Sequence, residues 1–180
     1  IIPLHFQFYR ELISSLQNVG FEVIFLFITD KPFKYTNFVE RARSFIHKNL
    51  LLQHNFKKQL IFGRENKNLL TQLEKIERKI DYALIIRSDL LGIATLRTIK
   101  SKVNKMVAYQ WDGLNRFPSV FDRIDLFDKF FVFDDNDYLK YKDSYTNICF
   151  TTNFYLEIPP DKDVVVKPQS LCFVGSYLEN

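Results

Sequence analysis

The sequence predicts an α/β fold with a mainly parallel sheet and helices on both faces. Two observations predict it. Five short apolar runs, rich in Phe, Val and Ile, have the composition of strands covered on both faces. Between them lie segments whose apolar residues recur at helical spacing, and such alternation is the pattern of parallel sheets.

Taken in order, residues 6–19 carry Tyr9, Leu12, Ile13, Leu16 and Val19 at helical spacing. Gly20 follows where a helix end favours glycine. "FEVIFLFIT" (21–29) is predicted to be the first full strand, and "DKP" ends it. Thr36 or Asn37 can cap a second helix with apolar positions at Phe38, Val39, Ala42, Phe45, Ile46 and Leu50. A third helix presents Leu69, Leu70, Leu73, Ile76 and Ile80 on one face and Glu74, Lys75, Arg78 and Lys79 on the other. "DYALIIR" (81–87) is a second strand, and Ser88 or Asp89 can cap a helix over about 90–102. "KMVAYQW" (105–111), "KFFVFD" (129–134) and "NICFTT" (147–152) are three more strands, the last two separated by a short helix around "NDYLKYK". There is no internal repeat.

A chain of 180 residues with 47% hydrophobic composition and 19 phenylalanines has enough apolar surface for one real core, which argues against disorder. No run approaches the roughly 18–20 apolar residues of a membrane-spanning helix, and the first residues lack the pattern of a signal peptide. Cys149 and Cys172 lie in apolar runs and are expected as two buried, reduced thiols, with no Cys/His spacing that suggests zinc. The formal charge is +4, with lysines grouped in "HKN…FKK", "KIERK" and "KSKVNK". Those groups suit a solvated helix face, or else an anionic ligand or an anionic membrane surface. Nucleic acid is disfavoured, because the aromatic residues sit in apolar runs rather than among basic ones.

Domain boundaries follow from composition. Ile1 and Ile2 read as the last residues of a strand, and residues 1–155 form one lobe whose first strand is truncated. "LEIPPDKDVVVKPQ" (156–169) reads as a linker, and "LCFVGS" within 170–180 as the first strand of a second lobe.

The stretch "YQWDGLNRFPSVFDRIDLFDKFFVFDDNDYLKY", followed by "TNFY" and "CFVGSY", resembles the amino-terminal lobe of bacterial GT-B-type glycosyltransferases. The likeness is to the CgeB-like and the capsule or lipopolysaccharide biosynthesis enzymes. It covers residues 81–177 best, with "GFEV" (20–23) as weaker support. It implies a Rossmann-like, flavodoxin-like lobe that holds the acceptor, which is a glycan or a lipid-linked one. The nucleotide-sugar donor would bind chiefly to the other lobe, as substrate, with no cofactor and no bound metal. The expected location is cytoplasmic, at most peripheral to a membrane. The alternatives are a non-catalytic flavodoxin-like binding module and a lobe of a polyol-phosphate transferase.

In an open α/β sheet, ligands bind at the carboxyl ends of strands, near the point where strand order reverses. With a flavodoxin-like order that point falls between the first strand and strand 81–87. The residues expected on this rim are His5, Arg87, Ser88, Asp89, Trp111, Asp112, Asn115 and Arg116. Asp112 can act as general base for an acceptor hydroxyl, or cap its own turn. His5 can serve as a base near neutral pH, or simply pack. Arg87 suits a phosphate or carboxylate, or an ion pair with Asp89 or Asp112. Trp111 can stack on a sugar or fill the core. Asn115 and Arg116 can bind substrate or shape the turn. Asp134, Asp135 and Asp137 are expected to cap the following helix. No glycine-rich phosphate loop follows any strand.

Overall fold

A computed structural model describes residues 1–3, 8–28, 33–53 and 55–153. The expected linker and second-lobe strand, with Cys172, lie outside them. The strands are β1 (Ile2–Pro3), β2 (Phe27–Ile28), β3 (Ile80–Ile86), β4 (Val103–Gln110), β5 (Lys129–Val132) and β6 (Ile148–Phe150). The helices are α1 (Phe8–Asn18), α2 (Phe38–Asn49), α3 (Phe56–Glu74), α4 (Ile93–Lys102) and α5 (Asp135–Tyr141). All strand pairings are parallel. β3, β4, β5 and β6 form a four-stranded sheet in that order, and β1 pairs with β2. Ile1, at the head of β1, joins the two parts. Its nitrogen donates to the Leu84 carbonyl at 2.7 Å, and its carbonyl accepts from the Ile86 amide at 3.0 Å. The strands therefore run in the order β2-β1-β3-β4-β5-β6.

This order places the helices. Parallel crossovers share one hand. The β1–β2 connection runs outward in one direction and the later ones in the other, so their helices fall on opposite faces. Leu69 and Leu73 of α3 and Leu96 and Ile99 of α4 pack with Ile85, Met106, Ala108, Phe130 and Val132 on one face. Tyr9 and Leu12 of α1 pack with Leu84, Ile86 and Tyr109 on the other, and Tyr9 stacks on Phe25 at 5.2 Å.

Local chemistry sets the element ends. Asn37 caps α2 by accepting from the Glu40 amide at 2.9 Å, and Asp134 caps α5 by accepting from the Asn136 amide at 2.9 Å. Asp128 starts β5. It accepts from the Met106 amide at 2.9 Å and from Lys105 at 3.0 Å. Those bonds, the amide first, hold its carboxyl below the usual range.

Four expectations are corrected. Among the described residues, which leave out position 29, the strand predicted over 21–29 is paired only at Phe27–Ile28, with Ile2 and Pro3 of β1, and 21–26 are not strand. Among the described residues β2 has no partner on its other side, and the apolar run before it is not fully covered. Phe21 and Ile24 are exposed. Neither Ser88 nor Asp89 caps α4. They form a separate 3-10 turn, Ser88–Leu90, and the helix begins after Gly92. Ile80 belongs to β3, not to the preceding helix. Cys149, expected buried, is half-buried with a free thiol.

Phe130 is fully buried and meets Phe127 edge-on at 5.5 Å, whereas Phe38 is 81% exposed. Phe130→Ala is expected to cost about 3–5 kcal/mol, and Phe38→Ala less than about 0.5 kcal/mol. Urea denaturation of the two variants side by side checks this contrast.

Candidate functional site

The carboxyl ends of β3 and β4 carry the charged rim. Pairing of Ile86 with Tyr109 brings the two exits level, and the Arg87 amide donates to the Tyr109 carbonyl at 3.2 Å. At Arg87 the backbone turns left-handed, with φ 66°. A side chain other than glycine adopts this at a cost of about 1–2 kcal/mol. The turn aims the guanidinium back over the rim.

There Arg87 is held on three sides. Its Nε and one terminal nitrogen donate to the two oxygens of Asp89 at 2.8 and 2.7 Å, and the other nitrogen donates to Asp112 Oδ2 at 2.8 Å. Phe117 lies beneath, its ring centre 4.2 Å from the guanidinium carbon. Burial alone would lower the Arg87 guanidinium. The hydrogen bonds and charge of Asp89, with the charge of Asp112, outweigh that and raise it. Arg116 donates to the second oxygen of Asp112 at 2.8 Å, and its side chain stays 64% exposed. Asp112 thus bridges two guanidinium groups. The sequence offered an ion pair between Arg87 and either Asp89 or Asp112, and both are present.

Further residues lock this lattice. Gln110 is fully buried and donates to Asp89 Oδ1 at 3.0 Å. Asp137 is buried and accepts from the Leu114 amide at 2.7 Å, fixing the 3-10 turn that carries Asn115 and Arg116. Tyr141 donates to Asn115 Oδ1 at 3.0 Å. From α3, Asn66 receives the Gly92 amide at 2.8 Å and donates to the Leu90 carbonyl at 3.3 Å, which secures the loop after Asp89. Arg123 is buried under the rim, donating to the carbonyls of Leu91 and Ser119. Burial lowers its guanidinium, with Asp122 and Asp89 opposing. Two buried oxygens near the strand ends, Ser88 Oγ and Gln110 Oε1, have no hydrogen-bond partner among the described residues.

The structure therefore brings Arg87, Asp89, Asp112 and Arg116 into direct contact, with Asn115 on the adjoining turn. Trp111 packs against Ile86 and Tyr109 on the α1 side of the sheet, and Ser88 is fully buried. His5 lies outside the described residues. Asp112 does not cap its own turn by hydrogen bonds to backbone amides. It faces Arg87 and Arg116 instead. Of the acidic trio, Asp134 caps α5 and Asp137 clamps the neighbouring turn.

Sequence reasoning missed Asn66, Gln110, Phe117, Arg123 and Asp137 as rim supports. Gln110 carried a signal, a lone amide inside the apolar run "MVAYQW". Among the described residues, no group of His, Cys, Asp and Glu has the geometry to hold a metal ion. A cavity of about 550 Å³ lies elsewhere, between residues 20–25 and 78–84, with Ile1 at its end and α1 along one side. It includes neither Arg87 nor Asp112, so the charged rim lies apart from it. Comparison with protein-family models, with curated proteins and with solved structures finds no match for this chain.

Removing one partner of a buried ion pair leaves the other uncompensated. Asp89, with a side chain 5% exposed, is expected to be the costly one. Asp89→Asn should lower stability by about 3–5 kcal/mol, while Arg116→Ala should cost about 1 kcal/mol or less. Denaturant titration of both variants gives the order.

Proposed function

We propose that this chain is the acceptor-holding lobe of a GT-B-type glycosyltransferase acting on a surface polysaccharide or related glycan. The observation that carries the reading is the Arg87–Asp112–Arg116 lattice at the carboxyl ends of β3 and β4, beside the point where strand order reverses. The order β2-β1-β3-β4-β5-β6, compatible with a flavodoxin-like lobe, and the sequence likeness at "YQWDGLNRFPSVFD" support it.

In this reading Arg116 and Asn115, on the exposed side, bind polar groups of the acceptor. Asp112 orients the acceptor hydroxyl by accepting its hydrogen bond, or takes its proton. Either role requires Arg116 to yield one Asp112 oxygen, whereas Arg87 keeps the other and fixes the carboxylate in place. Trp111 supplies apolar bulk behind the rim. The donor nucleotide sugar is held by a second lobe, and the transferred sugar meets the acceptor between the two.

A second reading, a non-catalytic binding module, is favoured by one observation. Arg87, Asp89 and Asp112 already satisfy one another, as a purely structural network would.

Kinetics and calorimetry separate the readings. The 180-residue chain alone should transfer no sugar, since catalysis needs donor and acceptor held in register. It should bind nucleotide sugars no more tightly than about millimolar, roughly −4 kcal/mol. In the enzyme that contains this lobe, Asp112→Asn is expected to reduce turnover roughly 10²- to 10⁴-fold, with a smaller change in denaturation midpoint. Wild-type turnover with a lowered midpoint would make the rim structural. Micromolar nucleotide-sugar binding to the isolated chain would place the donor site here instead.

A further inference from the structure

Helix α2 is amphipathic, and it faces the wrong way for a core helix. Its polar side meets the protein. Ser44, its one buried residue, hydrogen-bonds with the Tyr35 hydroxyl at 2.9 Å. Glu40 pairs with Arg64 of α3 and accepts from the Thr36 amide at 2.8 Å. His47 stacks on Phe56 with ring centres 3.9 Å apart, and shares a hydrogen bond with Gln53 at 2.7 Å. Its apolar side meets solvent. Phe38, Val39, Phe45, Ile46 and Leu50 are exposed, Phe45 at 65% and Leu50 at 73%.

At about 100° per residue these five positions span an arc of roughly 140°. Leu51 and Leu52, both exposed, prolong it past the end of the helix. An apolar face of this kind, turned outward and continuous, marks an interaction surface.

Charge indicates the partner. The helix carries three cations, Arg41, Arg43 and Lys48, all exposed. Arg41 and Lys48 border the apolar arc beside Phe45, and Arg43 borders it beside Leu50. The single acid of the helix, Glu40, is neutralised by Arg64. Cations along both edges of an apolar stripe are the arrangement of a helix lying in the plane of an anionic membrane surface. No helix among the described residues is long and apolar enough to cross a membrane, so the contact is one of adsorption.

We propose that α2 docks this protein on an anionic lipid bilayer. Phe38, Phe45 and Leu50 enter the acyl boundary, and Arg41, Arg43 and Lys48 meet lipid phosphates. The inference does not rest on the glycosyltransferase reading.

Vesicle co-sedimentation of the 180-residue chain tests it. The chain should bind phosphatidylcholine vesicles containing about 30% phosphatidylglycerol, at least tenfold more than pure phosphatidylcholine vesicles, and salt should weaken the binding. A basic residue near such a surface contributes about fivefold, so Arg43→Ala with Lys48→Ala should weaken binding roughly 20- to 30-fold. Phe45→Ser with Leu50→Ser should abolish it. Both residues are exposed, so thermal melts should show these variants folded. Equal binding to neutral and anionic vesicles, or binding to neither, would overturn the proposal. So would a dimer in sedimentation equilibrium that Phe45→Ser with Leu50→Ser dissolves in a chain that ignores vesicles, because the face would then belong to a second copy.

Discussion

The parallel pairing of β3 with β4 underlies everything else in the molecule. It runs in register from Ile80 with Val103 to Ile86 with Tyr109. One face receives α3 and α4 through Ile85, Met106 and Ala108. The other receives α1 through Leu84 and Ile86. The same register brings Arg87 level with Gln110, so two strands end together and two loops depart side by side. Because β1 lies on the far side of β3, those loops leave beside the reversal in strand order. Position at the rim is thus a product of strand register and crossover hand, not of the loop residues themselves.

What the loop residues add is fixity. A left-handed Arg87 would be costly alone, but three hydrogen bonds to two carboxylates and an aromatic face beneath hold it. The carboxylates are held in turn, Asp89 by Gln110 and Asp112 by Arg116. Buried charges in such a lattice offset one another's desolvation, and the gain is geometric definition more than stability. The exposure gradient runs from Asp89 through Arg87 and Asp112 to Arg116. Only the outer end of the lattice can exchange protein partners for a ligand without exposing a bare charge in the interior.

Much of this was legible in the sequence, for definite reasons. The runs at 81–87, 105–111, 129–134 and 147–152 are apolar because each buries residues in the core, and all four are strands to within a few residues. Arg87, Asp89, Asp112 and Arg116 could be grouped because each follows a strand closely. The limits are equally physical. The run 21–29 looks like a buried strand, yet pairing depends on what lies beside it, and among the described residues β1 offers partners only at Phe27 and Ile28. The apolar positions of α2 were plain, but periodicity gives an arc and not its direction, and here the arc points outward. Asp137 looked like a cap within "DDND". Its part in clamping Leu114, 23 residues away, is a tertiary contact that no local pattern encodes.

One bond ties the end of the described chain to the middle of the sheet. Tyr109 of β4 donates to Asn153 Oδ1 at 2.6 Å, although Asn153 follows β6, two strands away. On leaving the sheet the chain has doubled back across β5, and its path is pinned two residues before Trp111. Asn153 is therefore held beside the carboxyl-terminal half of β4, close to the rim.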